Sequence, residues 1–221
     1  MQPTLDLLWL WGFYRDMSKI QSICVYCGSS DGVNDAHKQA ARVLGTAMAQ
    51  SGIRLVYGGG NRGIMGAVAQ AVLENNGNVT GIIPEFLIEH EWHKEWRANC
   101  EIDKTDLIRT KDMHERKHLM FNHSDAFVAL PGGIGTLEEL VEIMTWSQLG
   151  RHNKPIAIAN IDDFWSPLMK LFAHMGDEGF FHSSALVRPL VIDQASEILP
   201  AILADADQAN AMGEAEIIQR L

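Results

Sequence analysis

One glycine-rich segment has the residue types that best suit binding of a small anion. It reads Pro131-Gly132-Gly133-Ile134-Gly135-Thr136 and links an apolar run, Ala126–Leu130, to an amphipathic one. Glycines let the backbone approach a ligand closely, and a helix that follows offers free N–H groups and the positive end of its dipole. The segment therefore predicts an anion site, most simply for a phosphate group.

Glu139 follows this loop and has two interpretations. Thr136-x-x-Glu139 is the spacing of a capping box, in which the glutamate side chain reaches back to the N-cap amide. A carboxylate next to an anion site is also a candidate for acid–base or electrostatic catalysis. The spacing alone does not separate the two.

A second group of chemically active residues is His114-Glu115-Arg116-Lys117-His118, which fits the His-Glu-x-x-His pattern of zinc proteases. Glu138 or Glu139 would be the third ligand of such a metal. Helical periodicity instead groups the two cations with apolar residues on one inward-facing stripe and leaves the histidines on its flank. The stripe consists of Met113, Arg116, Lys117, Met120 and Phe121. Because adjacent cations oppose zinc binding, we predict no metal.

The inward cations are more informative than the histidines. Arg116 and Lys117 could extend their charged ends to solvent or pair with nearby acids. Buried lysine and arginine rarely lack a partner. A pocket that holds an anionic ligand would supply one.

Two further glycine-rich loops follow apolar runs, at Cys27–Ser30 and Gly58–Gly66. Ligands of open α/β sheets bind at the carboxyl ends of the strands, although a tight turn would explain either loop alone. The candidate ligand contacts in these loops are Gly28, Ser29, Gly59, Gly60 and Met65.

Gly58-x-Gly60-x-x-Gly63 also matches the dinucleotide fingerprint, and Glu85 lies at a suitable distance to meet a ribose hydroxyl. The fingerprint follows the second predicted strand rather than the first, so a nicotinamide enzyme is disfavoured. The chain has no Gly-x-x-x-x-Gly-Lys-Ser/Thr sequence, which disfavours a P-loop nucleoside triphosphatase. We predict no cofactor.

The elements that must position these residues are short Val- and Ile-rich runs that alternate with longer amphipathic segments. Such runs are typical of strands covered on both faces. The alternation predicts one doubly wound, Rossmann-like α/β domain over residues 18–221, with a parallel sheet between two helical layers. Predicted strands are Ile23–Tyr26, Leu55–Tyr57, Val79–Ile83, Ala126–Leu130, Ile156–Ala159 and Leu190–Ile192; predicted helices cover about 35–51, 63–76, 110–123, 136–149, 163–177 and 194–204.

Two segments do not follow this alternation. Residues 84–109 are too irregular to predict as a helix, and long excursions of this kind often cover a site. Residues 1–17 form an N-terminal extension. Its first sixteen residues make a poor signal peptide because no basic region leads the apolar run, and Met17 is an alternative start.

Composition narrows the function classes. The formal net charge of −10 argues against a nucleic-acid partner, and no apolar run reaches the length of a membrane span. We expect a cytoplasmic protein without a membrane partner. The three cysteines are too few for a disulfide scaffold. Cys24 and Cys27 form a C-x-x-C on a predicted strand, where they would face opposite sides as buried thiols.

Three of these segments together resemble motifs of the LONELY GUY family. Pro131–Glu139 is similar to its Pro-Gly-Gly-x-Gly-Thr-x-x-Glu signature, Met113–Lys117 to its Arg-Lys element, and Gly58–Gly66 to its Gly-Gly-Gly-x-x-Gly-x-Met-Gly loop. The similarity of strand order and spacing extends from about residue 22 to residue 204. The chain departs from the family pattern at residues 85–110.

The resemblance implies a cytokinin riboside 5′-monophosphate phosphoribohydrolase, and several members of the family also cleave AMP. Some members were long mislabelled lysine decarboxylases, and no pyridoxal lysine site is visible here. By position, Arg116 and Glu139 match the catalytic pair. The residues that match nucleotide contacts are Lys117, Gly132, Gly133, Ile134, Gly135, Thr136, Glu138 and Thr145.

Plant members of the family have a ligand-binding glutamate in the segment that corresponds to residues 85–110. In this chain the candidates for that glutamate are Glu85 and Glu89. Members are typically dimers, so a homodimer is expected, and Ile143 and Trp146 suit either its interface or the core. The expected reaction is hydrolysis of an N-glycosidic bond, in which a carboxylate stabilises an oxocarbenium-like transition state or activates water. The alternative is a non-catalytic nucleotide- or molybdenum-cofactor-binding protein of the same fold.

Overall fold

The computed structural model describes residues 20–91, 105–180 and 189–218, so the whole predicted extension at residues 1–17 lies outside the described part. Strands and helices alternate along these residues. The strands are β1 (Ser22–Tyr26), β2 (Arg54–Tyr57), β3 (Val79–Pro84), β4 (Thr105–Thr110), β5 (Ala126–Ala129), β6 (Ile156–Ala159) and β7 (Leu190–Ile192). The helices are α1 (Asp35–Gln50), α2 (Gly63–Glu74), α3 (Glu85–Glu91), α4 (Met113–Asn122), α5 (Ile134–Gln148), α6 (Ser166–Asp177) and α7 (Ile198–Ile218).

The described strands form one sheet in the order β4-β3-β2-β1-β5-β6-β7, and every neighbouring pair is parallel. In the centre, Ile23 of β1 pairs with Leu55 of β2 on one side and with Ala126 of β5 on the other. The chain reverses its direction across the sheet between β1 and β5. Open α/β sheets bind ligands outside the carboxyl ends of the strands at such a reversal.

Helices cover both faces of the sheet, which explains the continuous apolar runs of the strands. One core lies between the sheet and α1, α2 and α7, and the other between the sheet and α4, α5 and α6. The predicted three-layer, doubly wound fold is confirmed. Each central strand contributes alternate side chains to the two cores, as in β1, where Val25 enters the first and Cys24 the second.

The prediction of an irregular stretch at residues 84–109 was wrong at both ends, where α3 and β4 form. The strand β4 is at the edge of the sheet, and its Asp106 and Arg109 are exposed while Ile108 is half-buried. Arg54 of β2 holds it through a 2.7 Å ion pair from Nη1 to Oδ2 of Asp106. An edge strand with charged outward positions lacks the apolar run that identified the central strands.

The thiols of Cys24 and Cys27 are buried on opposite sides of β1, as predicted. Burial also raises the pKa of the Cys24 thiol well above its usual value. The third cysteine, Cys100, lies outside the described residues. Among the helices that the structure describes, none is both long and apolar enough to cross a membrane.

Candidate active site

Helix α4 directs Arg116 into the protein. Asp112 caps the helix, since its side chain accepts a 2.8 Å hydrogen bond from the Glu115 amide. Arg116 is 8 % exposed, and its Nε donates to the carbonyl oxygen of Ile82 at 3.2 Å while Nη2 donates to that of Gly58 at 3.4 Å. The predicted inward orientation is confirmed. The guanidinium is held at the carboxyl ends of β2 and β3.

The two histidines of the His-Glu-x-x-His pattern, His114 and His118, are both exposed on the flank of α4. A search of the described residues finds no group of three His, Cys, Asp or Glu side chains that could hold a metal ion. The arrangement of α4 therefore favours the inward cations over the histidines as the chemically active part of this helix.

Gly58 has a packing role that the sequence did not reveal. A Cβ atom at this position would collide with Nη2 of Arg116. Its neighbour Gly59 has a φ of 76° and lies where a Cβ would come within 2.9 Å of Cβ of Ile83. Gly58 thus makes room for the guanidinium of Arg116, and Gly59 permits the positive φ of the turn.

Helix α5 begins earlier than predicted, and the capping-box interpretation is wrong. Gly133 is the N-cap residue, with φ −91° and ψ −159°, and no side chain caps the helix. Thr136 is therefore already the third helical residue, and Glu139 lies in the second turn, too far along to reach the N-cap amide. The Glu139 side chain is free to pair elsewhere.

A period of 3.6 residues in the sequence would turn Leu137, Leu140, Val141, Met144 and Gln148 toward the sheet, but the buried face of α5 is a different one. The buried residues are Thr136, Glu139, Leu140 and Ile143. Val141 is 40 % exposed, because the helix is turned so that Glu139 and Ile143 face the sheet. Ile143 is therefore a core residue rather than an interface candidate, and Trp146 is half-buried against Phe121.

Arg116 and Glu139 meet in the interior. Nη2 of Arg116 lies 3.7 Å from Oε1 of Glu139, and each residue is only 8 % exposed. Burial raises the pKa of Glu139 to about 7, and the positive charge of Arg116 partly offsets that rise. The carboxyl group is thus poised to gain or lose a proton near neutral pH, as a general acid or base requires.

Lys117 forms a second charged group beside this pair. Its Nζ lies 2.6 Å from Oε1 of Glu138 and 3.1 Å from Oε1 of Glu142. Partial burial lowers the pKa of Lys117, but hydrogen bonds to the two carboxylates outweigh it and the pKa is raised overall. Glu142 was missed from the sequence, although its spacing of four residues from Glu138 places both on one face of α5.

The three glycine-rich loops are joined by backbone hydrogen bonds. The Gly28 amide donates to the carbonyl oxygen of Pro131 at 3.1 Å, and the Met65 amide donates to that of Gly28 at 3.1 Å. A Cβ on Gly28 would lie 3.3 Å from Cα of Gly132. The loops after β1, β2 and β5 thus meet at the reversal point of the sheet, where the sequence placed a ligand.

The start of α5 faces open space at this meeting point. A Cβ atom on Gly133 or Gly135 would have no atom within 4 Å, apart from its chain neighbours. Ile134 is 82 % exposed, whereas Thr136 is buried. Free amides at a helix start beside an open volume can accept an anionic group.

The other residues predicted to contact the ligand differ in their exposure. Ser29 is exposed on the loop after β1, whereas Gly60 and Met65 are buried. Thr145 is exposed, and its Oγ1 donates to the carbonyl oxygen of Val141 at 2.8 Å. Thr145 lies six residues after Glu139, about 120° around the helix, so it points away from this cleft.

Of the two glutamates considered for the departing segment, Glu85 is exposed at the first residue of α3. The side chain of Glu89 lies outside the described part. The assignment of a ligand-binding glutamate to this segment therefore stays a prediction.

Comparisons with known proteins point to one family. A family model described as "Possible lysine decarboxylase" matches residues 65–202. The chain is 44 % identical over 168 residues to the cytokinin riboside 5′-monophosphate phosphoribohydrolase LOG3 of Arabidopsis thaliana, covering 76 % of this chain and 75 % of that protein. It is 41 % identical over 180 residues to the probable cytokinin riboside 5′-monophosphate phosphoribohydrolase LOG4 of Oryza sativa subsp. japonica, with 81 % and 75 % covered.

Solved structures with the same fold are more distant in sequence. The molybdenum cofactor binding protein from Rippkaea orientalis has a TM-score of 0.61 at 21 % identity, covering 84 % of this chain and 97 % of that one. The molybdenum cofactor carrier protein of Chlamydomonas reinhardtii has a TM-score of 0.60 at 20 % identity, with 85 % and 98 % covered. At such identities these similarities establish the fold alone.

Proposed function

The chain belongs to the LONELY GUY family of cytokinin riboside 5′-monophosphate phosphoribohydrolases, and on that premise we propose that it hydrolyses the N-glycosidic bond of adenine-type nucleoside 5′-monophosphates. The observation that carries the proposal is the buried Arg116–Glu139 pair beside the open start of α5. A binding protein needs the amides of the loop but has no need of a buried carboxylate that titrates near neutral pH.

The 5′-phosphate binds at the loop in this proposal. The amides at Gly133 to Thr136 and the dipole of α5 supply the positive end of the site without a net charge. Lys117 cannot serve as a free cation while Glu138 and Glu142 hold it. Lys117 adds positive charge to the phosphate site only if a bound ligand draws its ammonium group away from Glu138 or Glu142.

The bond broken is the one between C1′ of the ribose and the nitrogen of the base. Glu139, as the ionised carboxylate, stabilises positive charge on the ribose ring and takes a proton from the attacking water. The water oxygen bonds to C1′, and the base leaves with the electron pair of the broken bond. The base takes up a proton from solvent, and Glu139 returns to solvent the proton that it took from the water. The products are a free adenine-type base and ribose 5-phosphate.

Arg116 positions and tunes this carboxylate. Two backbone carbonyls fix its guanidinium, so that the cation stays next to Glu139 whether or not a ligand is bound. Its charge favours the ionised form of a carboxyl group that burial would otherwise keep protonated. The pair is therefore required for the chemical step, in addition to any contact with ribose hydroxyls.

The substrates proposed are cytokinin riboside 5′-monophosphates and AMP. Similarity to cytokinin riboside 5′-monophosphate phosphoribohydrolases supports the first substrate class, and the family resemblance supports the second. Because the loop would bind the 5′-phosphate whichever base the nucleotide carries, nucleosides should be poor substrates. A cytoplasmic location stays a prediction from the sequence.

Gly135→Ala tests the phosphate site. Because the added Cβ meets no protein atom, we expect thermal stability to be unchanged or slightly higher, since alanine is the better helix former. The methyl group would occupy the space proposed for the phosphate, and we expect KM for AMP to rise about tenfold, the loss of one charge-assisted hydrogen bond. Steady-state kinetics and a thermal melt measure both effects. An unchanged KM would move the phosphate away from this loop.

We further propose that the chain forms a homodimer through the outward face of α5. Ile134, Val141 and Leu149 are 82 %, 40 % and 71 % exposed and recur at spacings of seven and eight residues on one side of the helix. Thr145, which the resemblance assigns to nucleotide binding, lies on this side and not in its own cleft. A second copy seated on this face would place Thr145 near the partner's ligand.

Val141→Glu is expected to convert the dimer to a monomer, because it buries an unpaired charge in the proposed interface. Sedimentation velocity measures the change in mass. The matched control is Leu171→Glu on α6. Leu171 is 46 % exposed, close to the 40 % of Val141, but lies outside the proposed interface. Dissociation by the α6 variant alone, or a wild-type monomer, would refute this interface.

A further inference from the structure

A second cleft lies beside α1 and α2, which pack on the face of the sheet opposite to the one that packs against α4 and α5, the helices of Arg116 and Glu139. Its volume is about 690 Å³, and its walls come from the loops after β1 and β2 and from helices α1 and α2. The polar side chains that line it are Ser29, Ser30, Asp31, Lys38, Arg42, Asn61, Arg62 and Gln70. The volume is in the range of small-molecule sites.

This cleft is separate from the proposed catalytic one. Arg116 and Glu139 come from α4 and α5 in one helical layer, whereas Lys38 and Arg42 come from α1 in the other. Lys38 and Arg42, moreover, lie outside the motifs that define the catalytic site, whereas Arg62 belongs to the Gly58–Gly66 loop.

The charge in this cleft runs against that of the whole chain. Lys38, Arg42 and Arg62 face it with one acid, Asp31, in a chain whose formal net charge is −10. Nζ of Lys38 lies 2.8 Å from Oδ1 of Asp31, so these two charges balance each other and Arg42 is the cation that the site would use. Within the described residues, Arg42 makes no ion pair or side-chain hydrogen bond and is exposed.

These groups match the chemistry of a phosphate ester or diphosphate. A guanidinium binds phosphate oxygens through paired N–H groups, and the exposed Ser29 and Ser30 can donate hydroxyl hydrogen bonds to the same oxygens. An isolated patch of this size suits a small molecule rather than a nucleic-acid backbone, which requires an extended basic surface.

We propose that this cleft binds a small phosphate-bearing effector, distinct from the substrate. The cleft has a direct structural link to the catalytic loops. A Cβ on Gly63, whose φ is 60°, would collide with the backbone of Ser29 and Ser30. The amides of Met65 and Gly28 then connect the same loop to Pro131. A ligand that fixes the Ser29–Asp31 loop would thereby change the affinity of the catalytic cleft.

Calorimetric titration with pyrophosphate tests the site without relying on the catalytic proposal. We expect saturable binding to the wild type and to Glu139→Gln saturated with AMP. Arg42→Glu should weaken that binding more than about tenfold, since a contact attraction becomes a repulsion. The control, Lys170→Glu, makes the same charge change at an exposed position on α6 and should leave the affinity within about twofold, because charges beyond a Debye length are screened.

Three results would overturn the proposal: no saturable binding at millimolar pyrophosphate, equal weakening by the Arg42 and Lys170 variants, or complete displacement of pyrophosphate by AMP. The last result would mean that pyrophosphate occupies the catalytic phosphate site alone. A thermal melt of each variant confirms that loss of binding is not loss of fold. Because binding is the readout, failure of AMP hydrolysis would leave this test intact.

Discussion

Glu139→Gln is expected to lower kcat for nucleotide cleavage about 10³-fold, the range for removal of a general base or of a charge that stabilises the transition state. The amide keeps the size of the side chain but can neither take a proton nor carry the negative charge. KM should change little, because the phosphate loop is untouched. Steady-state release of free base measures both constants.

The control for this variant is Glu178→Gln, an exposed glutamate that follows α6. It removes the same charge from the chain and should leave kcat unchanged. Normal turnover by Glu139→Gln would eliminate the carboxylate from the mechanism. Equal losses in the two variants would show that total charge, and not this carboxyl group, is responsible.

The same substitution has a signature in stability that does not depend on activity. The folded pKa of Glu139, about 7, exceeds its unfolded value of 4.5, so the native state binds this proton more tightly. The resulting stabilisation is fully present below pH 4.5 and is lost as the pH rises through 7. It corresponds to roughly 3 kcal/mol of the free energy of unfolding at most. Relative to the wild type, Glu139→Gln should therefore gain stability between pH 5 and pH 8 in urea unfolding.

Arg116→Ala is expected to lower kcat/KM at pH 7 about 10²-fold and to move its pH dependence upward. If Glu139 acts as the ionised form, wild-type kcat/KM rises with pH through about 7. Removing the guanidinium removes the influence that lowers the pKa of Glu139, so the rise should occur at higher pH. A pH series of kcat/KM for both proteins measures the displacement.

Arg116→Lys is the conservative comparison. It keeps the positive charge but cannot reproduce both bonds to the carbonyl oxygens of Ile82 and Gly58. We expect it to retain a pH profile closer to that of the wild type while losing part of the rate. A purely structural role for Arg116 would lower stability in both variants and leave the pH profile in place, which would contradict the tuning role.

The inward face of helix α4 could be predicted from the sequence alone. A period of 3.6 residues placed Arg116 and Met120 on the inward face, and both are buried. The central strands were equally predictable, because strands covered on both faces have continuous apolar runs. The glycine-rich loops could be placed together from topology, since the carboxyl ends of parallel strands share one edge of the sheet.

Where the sequence misled, the physical reason is local. Thr136 and Glu139 have capping-box spacing, but Gly133 takes the extended N-cap conformation three residues earlier and the helix starts there. The packing of α5 against the sheet also buries Ile143, which the sequence left open between the core and an interface. Gly58 matched the first glycine of the dinucleotide fingerprint, and its packing against a distant guanidinium could not be predicted because such a contact leaves no mark in a sequence.

The most direct test of the catalytic account is chromatographic separation of the products formed from AMP and from isopentenyladenosine 5′-monophosphate, with the matching nucleosides alongside. The account predicts free base and ribose 5-phosphate in equal amounts from at least one nucleotide, and little base from either nucleoside. Nucleotides recovered intact from a tight complex would indicate a carrier of the same fold. Release of nucleoside and inorganic phosphate would place the cleavage at the wrong bond. Either result would contradict the roles assigned to Arg116 and Glu139.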